Sequence, residues 1–202
     1  MLALGRQRGF NLIEAVVTVA VLALVTAAML PSVSDWIRNT HVRNVAESAQ
    51  NGLQKAKTEA LRRNRIVTFW MMAPSAAASL DSTCALSAAS ASWVISMADP
   101  TGKCDVAPSP TVDPQIIETY GAGTGATGIS VAGLASDGTT AASSVSFNGY
   151  GQPVPTGTPL TRIDITHSQS GARRLQIRIS SGGGIRMCDR DVGASDPRAC
   201  GT

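Results

Sequence analysis

Histidine is almost missing from this chain: only His41 and His167 occur in 202 residues. Neither sits in an H-E-x-x-H spacing, and no G-x-S-x-G elbow occurs, so zinc-protease and serine-hydrolase arrangements are excluded. There are four cysteines, but no close C-x2-C pair, which removes the common zinc frameworks. One run, Gly123-Thr124-Gly125-Ala126-Thr127-Gly128, formally fits G-x-G-x-x-G. It leads into Ile129-Ser130-Val131 rather than a helix, so a phosphate would find no helix N-terminus there. No DNA-reading helix or zinc finger is visible. The chain is therefore read as a non-enzyme with no metal and no cofactor.

Charge is absent from residues 15–30, where Thr18 and Thr26 are the only polar side chains. Counted from Phe10, the apolar run lasts about 21 residues before Pro31, enough for a bilayer core of about 30 Å. An ordinary secretory signal would be cut after its apolar run, at small residues. Here the plausible cut precedes the run, so the helix stays on the mature chain. Arg6 and Arg8 favour a cytoplasmic N-terminus. One carboxylate, Glu14, sits near the start of the run. A charge at membrane depth costs roughly 2.5–3.5 kcal/mol on insertion scales and marks a functional position by default.

Gly9-Phe10-Asn11-Leu12-Ile13-Glu14 and the apolar run behind it resemble the class III signal of type IV pilins and type II secretion pseudopilins. Asn11 stands where that family usually has Thr or another small residue. The resemblance implies that a prepilin peptidase cuts between Gly9 and Phe10 and methylates the new Phe10 amine. It also implies that Glu14 serves assembly. After cleavage the Phe10 amine lies four residues from Glu14, and a neighbouring copy can set its ammonium against this carboxylate. Pro31, which lacks an N–H, is either a membrane-exit kink or a point that loosens when subunits pack.

Val33, Trp36, Ile37, Val42, Val45, Ala49, Leu53, Ala56 and Ala60 recur at three- and four-residue spacing, an amphipathic helix with a narrow apolar face. It is expected to end at Arg63 or Asn64, with Gly52 a weak point. A helix over residues 10–64 would be roughly 80 Å long. After Asn64 the pattern turns to strands: residues 66–72, 92–97, 115–119, 128–131, 144–147, 162–166 and 174–179. The last two alternate apolar with polar and form a hairpin across residues 168–171. Phe147-Asn148-Gly149-Tyr150-Gly151-Gln152-Pro153 is a turn cluster. Residues 73–91 and 121–138 are rich in small residues and are read as surface loops. The fold class is α+β: a long N-terminal helix packed on an antiparallel, strand-rich head. The boundaries are 1–9 for a cleaved leader, 10–31 for the membrane and assembly helix, 32–64 for the amphipathic helix and 65–202 for the head.

The helix ending in Lys57-x-x-Ala60-Leu61-Arg62-Arg63-Asn64, the Phe147-Asn148 turn, the late hairpin and Gly182-Gly183-Gly184-Ile185-Arg186-Met187-Cys188 extend the likeness. They look like the GspH/FimT/FimU branch of minor pilins and H-type pseudopilins. That implies a low-abundance subunit that primes filament assembly or lies near the tip. Its partners would be other pilins or pseudopilins, the prepilin peptidase/methyltransferase and the inner membrane. The chain would be a single-pass bacterial inner-membrane protein with a periplasmic head, later part of a pilus or pseudopilus.

Cys84, Cys104, Cys188 and Cys200 all fall in the head. In an exported domain they suggest two disulfides. Three pairings exist, of which Cys84–Cys104 and Cys188–Cys200 are favoured because each closes a local loop. Charge is segregated along the chain: residues 32–65 carry net +4, residues 66–161 net −5 and residues 162–202 net +3. Two readings of the basic regions stand side by side: solvated faces meeting acidic neighbours, or capture of DNA phosphates. FimT-type minor pilins of competence systems bind DNA through a C-terminal Gly-Arg-x-Arg motif. The nearest match is Gly183-Gly184-Ile185-Arg186, which keeps Arg186 but has Gly184 where the first Arg would be. Arg178, Arg186 and Arg190 are the candidate DNA contacts. A membrane-anchored domain unrelated to filaments is the third reading.

Overall fold

The computed structural model describes residues 11–73 and 80–201, without the side chains of residues 27–32 and Thr124. The expected cleavage site and methylated residue, Gly9 and Phe10, lie outside the described residues. The chain divides into two compact units, residues 1–37 and 38–202. Helix α1 (Leu12–Arg63) begins in the first and continues into the second. The backbone stays helical through Pro31, which itself donates no hydrogen bond.

In the first unit, large apolar side chains from Leu12 to Val25 are all exposed, from 44% at Val25 to 79% at Leu12. Among the described residues no helix is long and apolar enough to cross a membrane. The expected span over residues 10–31 extends at both ends past the described side chains.

In the second unit, α1 buries one stripe: Val42, Val45, Ala46, Ala49, Leu53, Ala56 and Ala60. These follow the three- and four-residue spacing of one helix face. The stripe starts later than its sequence pattern implies, because Val33, Trp36 and Ile37 are exposed. The helix ends in a paired turn. Asn64 N–H donates to Leu61 O, and Arg65 N–H donates to Ala60 O across five residues. Asn64 has φ +49°, the left-handed C′ residue of a Schellman motif.

Among the described residues ten strands follow in two antiparallel sheets. The first sheet holds β1 (Val67–Ala73) at its centre, between β3 (Trp93–Ser96) and β6 (Ser144–Phe147). Strand β4 (Ile116–Tyr120) and strand β7 (Pro153–Val154) flank these, and β2 (Ala85–Leu86) pairs with the end of β1. The second sheet runs β10 (Ile185–Asp189), β9 (Leu175–Ile179), β8 (Arg162–His167), β5 (Ile129–Leu134). Phe69, Phe147, Ile163, Ile165 and Ile177 join the α1 stripe in the main core. A second cluster gathers Met72, Val94 and Ile116 around Cys84 and Cys104. Cys84 is bonded to Cys104 and Cys188 to Cys200.

Three features depart from the sequence expectation. Strands β2, β7 and β10 have no counterpart in it. Two are only two residues long, and β10 is masked by the glycines before it. Second, β5 continues to Leu134, inside a segment whose composition predicts a surface loop. The small residues there are a packing requirement. A Cβ on Gly133 would lie 2.3 Å from Ala142 O and 2.8 Å from Met71 Sδ.

Third, Gly52 is not a weak point of the helix. A Cβ there would meet Trp93 Cε2 at 2.8 Å and Phe69 Cε2 at 2.9 Å, so glycine lets α1 lie directly on the aromatic rings. Trp93 is fixed from other sides, by stacking on Tyr120 with ring centroids 5.3 Å apart and by donating Nε1–H to Ser48 Oγ at 3.2 Å. The rings cannot move aside freely. We expect Gly52→Val to cost about 1–3 kcal/mol despite removing a helix glycine, the usual range for overpacking. Urea unfolding of the variant would check this. Unchanged or raised stability would show that the rings give way.

Candidate functional site

Two regions draw on the residues singled out by sequence. The first is the start of α1. Glu14 N–H donates to Asn11 O at 3.0 Å and Ala15 N–H to the same oxygen at 3.1 Å. Asn11 is thus the residue flanking the helix, a type favoured at N-caps. Glu14 falls in the first turn, where the helix dipole favours an anion. Its side chain is exposed and meets no partner among the described residues. The polar side chains behind it close on themselves: Thr18 Oγ1 donates to Ala15 O at 2.9 Å and Thr26 Oγ1 to Leu22 O at 2.8 Å. Back-bonding of this kind removes unpaired hydroxyls from the surface. What remains is an apolar cylinder carrying a single carboxylate.

The second region is the basic face of the second sheet. Strand register sets Arg162 opposite Arg178, and Arg178 opposite Arg186, so one row of arginines crosses β8, β9 and β10. The three candidate DNA contacts are already engaged within the chain. Arg186 Nη2 donates to Pro197 O at 2.8 Å and Ala199 O at 3.1 Å. Arg178 Nη1 donates to Gly201 O. Arg190 Nη1 donates to Asp164 Oδ2 at 3.1 Å. Together with the Cys188–Cys200 bond and a parallel bridge between Asp189 and Ala199, the Arg178 and Arg186 bonds clasp the tail onto β9 and β10. Other cations are spent similarly: Arg174 Nε on Asp191 Oδ1 at 2.6 Å, and Arg198 Nη2 on Asp196 Oδ2 at 2.7 Å.

The Gly183–Arg186 stretch is held from behind. Lys57 Nζ, on α1, donates to Gly183 O at 2.8 Å. Gly183 has φ +78°, and a Cβ on it would fall 1.9 Å from Gly151 O. Glycine here allows the β9–β10 turn to rest against the residue 148–152 turn. At the end of α1, Arg62 Nη2 and Arg63 Nε reach Glu59 Oε2 at 2.6 and 2.8 Å. The hydrogen bond from Arg62 holds the Glu59 carboxyl below its ordinary range, against the opposing effect of burial.

Sequence reading missed Asp164. It accepts from Gln176 Nε2 at 2.7 Å and Arg190 Nη1 at 3.1 Å, and lies 3.3 Å from Arg162 Nε. The signal was only the outward position of Asp164 on an alternating strand. The glycine-rich run forms a short turn (Gly123–Ala126) that leads straight into β5. Among the described residues no group of three or more His, Cys, Asp or Glu is placed to hold a metal ion.

The local Asp196–Arg198 pair of the tail has an acid limit. The Arg198 side chain donating to Asp196, followed by the Arg198 N–H at 2.8 Å, pulls the Asp196 carboxyl from 3.8 down to about 2. With the folded value depressed, its stabilisation is complete above about 3.8 and is lost as pH falls through about 2. The Asp196 carboxyl signal followed by NMR is expected to titrate near 2, and Arg198→Ala should return it toward 3.8.

The family described as type II transport protein GspH matches residues 45–183. That range takes in residues 45–63 of α1 and strands β1–β9, and leaves out the Gly9–Glu14 motif and β10. Two crystal forms of the type IV minor pilin FimU from Pseudomonas aeruginosa strain PAO1 are similar to the chain. Both are 17% identical with a TM-score of 0.44. One match covers 78% of this chain and 98% of FimU, the other 80% and 96%. No curated protein sequence matches.

Proposed function

The chain belongs to the GspH family of type II transport proteins, a family of pilin-like, non-enzymatic structural proteins, and on that premise we propose that it primes assembly of, or sits near the tip of, a type II secretion pseudopilus or type IV pilus. The observation that carries the reading is the start of α1: apolar side chains exposed from Leu12 to Val25, interrupted by one carboxylate, Glu14, with no partner among the described residues. A helix that is apolar all round needs lipid or other helices around it. In this reading residues 10–31 lie first in the inner membrane and then among the helices of the filament, with the head in the periplasm.

Three steps follow from the chemistry. Cleavage between Gly9 and Phe10 frees an ammonium at Phe10, which the processing enzyme then methylates. Glu14 of one subunit pairs with the Phe10 ammonium of its neighbour, so two charges that are costly at membrane depth neutralise each other. The paired helix then leaves lipid for the filament core. The partners are other pseudopilins or pilins. Mass spectrometry of the membrane-extracted chain is the test. The expected N-terminus is methylated Phe10. An intact Met1 in cells with an active prepilin peptidase would remove the filament reading and leave a membrane-anchored head.

A further inference from the structure

We propose that a groove on the head binds a short, extended, acidic peptide segment of a partner protein, gripped by Arg162 and Arg178. The groove has a volume of about 510 Å³ and lies where β7 and the loop after it approach β8 and β9. That volume is within the usual range of ligand sites, about 300–1,000 Å³. The inference uses the head alone and stands or falls apart from the filament reading.

Charge names the occupant. Among the described residues, Arg162 and Arg178 are the only ionisable groups lining the groove, and none lining it is acidic. They sit directly opposite each other on β8 and β9, and Arg186 continues the row. Asp164 Oδ1, 3.3 Å from Arg162 Nε, offsets part of the Arg162 charge, whereas Arg178 has only a carbonyl partner; like charges directly opposite across a sheet repel, so an anion set beside Arg178 relieves what remains. Their present partners leave capacity: a guanidinium has five N–H donors. Arg178 gives Nη1 to Gly201 O, and Arg162 gives Nη2 to Gly138 O at 2.8 Å. Arg162 Nε is buried 3.3 Å from Asp164 Oδ1 and completes no hydrogen bond. Planar guanidinium forks suit carboxylates in particular.

The walls favour peptide over nucleic acid. Pro153, Pro155, Pro159 and Leu160 make one side of the cleft. Three prolines offer no N–H, so an added strand cannot be held by a continuous backbone ladder along this edge. Recognition falls to side chains: the apolar wall takes one face of an extended segment and the arginines take carboxylates on the other. Alternate residues of such a segment are about 6.7 Å apart, a spacing that can present successive carboxylates to neighbouring arginines. A duplex backbone, in contrast, calls for a broad basic surface.

The test is fluorescence anisotropy with the full chain in detergent micelles. The probe is a labelled Gly-Asp-Val-Asp-Val-Asp-Gly peptide, with its Asn-for-Asp counterpart as control. We expect the acidic peptide to bind roughly tenfold or more tightly than the neutral one. Arg178→Gln should weaken it by a similar factor and Arg162→Gln with Arg178→Gln should remove it. Arg173→Gln, outside the groove, should leave it unchanged. Arg162→Lys keeps the charge and, if the double variant misfolds, supplies the reading by an intermediate loss. No binding of the acidic peptide, or equal binding of both peptides, would overturn the proposal. So would equal loss in Arg173→Gln, or a preference for inorganic phosphate or duplex DNA over the peptide.

Discussion

Glu14→Ala is expected to leave the chain in the membrane while cutting its incorporation into filaments by roughly a hundredfold. The carboxylate has no partner among the described residues, so nothing within the described fold depends on it. Insertion should improve slightly, because one charge is removed from an apolar run. Assembly should suffer because the neighbouring Phe10 ammonium would then be buried without a counter-charge. That penalty, taken at roughly 2.5–3.5 kcal/mol, corresponds to about two decades in an equilibrium. Glu14→Asp keeps the charge on a shorter stem and should fall between the two. The measurement is the share of subunit recovered in sheared filaments against the membrane fraction. Equal shares for Glu14→Ala and the parent chain would sink the pairing mechanism.

Phe69→Ala should have the largest effect on the head. Phe69 is fully buried on β1, with its ring 5.7 Å from Trp93. It also meets the helix at Gly52, where glycine brings α1 against its ring. Its removal leaves a void between the helix and the first sheet that neither can close without losing the other's contacts. Such truncations cost about 3–5 kcal/mol, a large part of the roughly 5–15 kcal/mol that stabilises a domain. The midpoint of urea unfolding, followed by tryptophan fluorescence, measures it. A loss below about 1 kcal/mol would mean that the helix settles into the space.

Cys84–Cys104 closes 20 residues beside the second cluster, and Cys188–Cys200 closes 12 at the tail. The two bonds restrain different segments, so they do not replace each other.

Much of the head was legible from local pattern. Alternation placed Ile163, Ile165 and Ile177 inward on β8 and β9, and Asn148-Gly149 marked its turn. The helix ended where Asn64 could take a left-handed conformation. Composition misled at Gly52 and Gly133, because small residues look alike whether they loosen a chain or admit a close neighbour. Only the approach of Trp93 or Ala142 distinguishes the two. The C-terminal arginines posed the same problem. As a list they form a basic region, yet Asp164 and the tail carbonyls take up some of their donors.

By itself the sequence determined the helix, the strand-rich head, the separation of charge and the candidate processing motif. Each depends on residue type and on spacing within a few positions, which sterics and hydrophobic periodicity impose locally. Tertiary structure alone decided which glycines are contacts and which arginines line a groove or hold the tail. Those outcomes depend on residues brought together from about 10 to more than 100 positions apart, and no local rule carries that information.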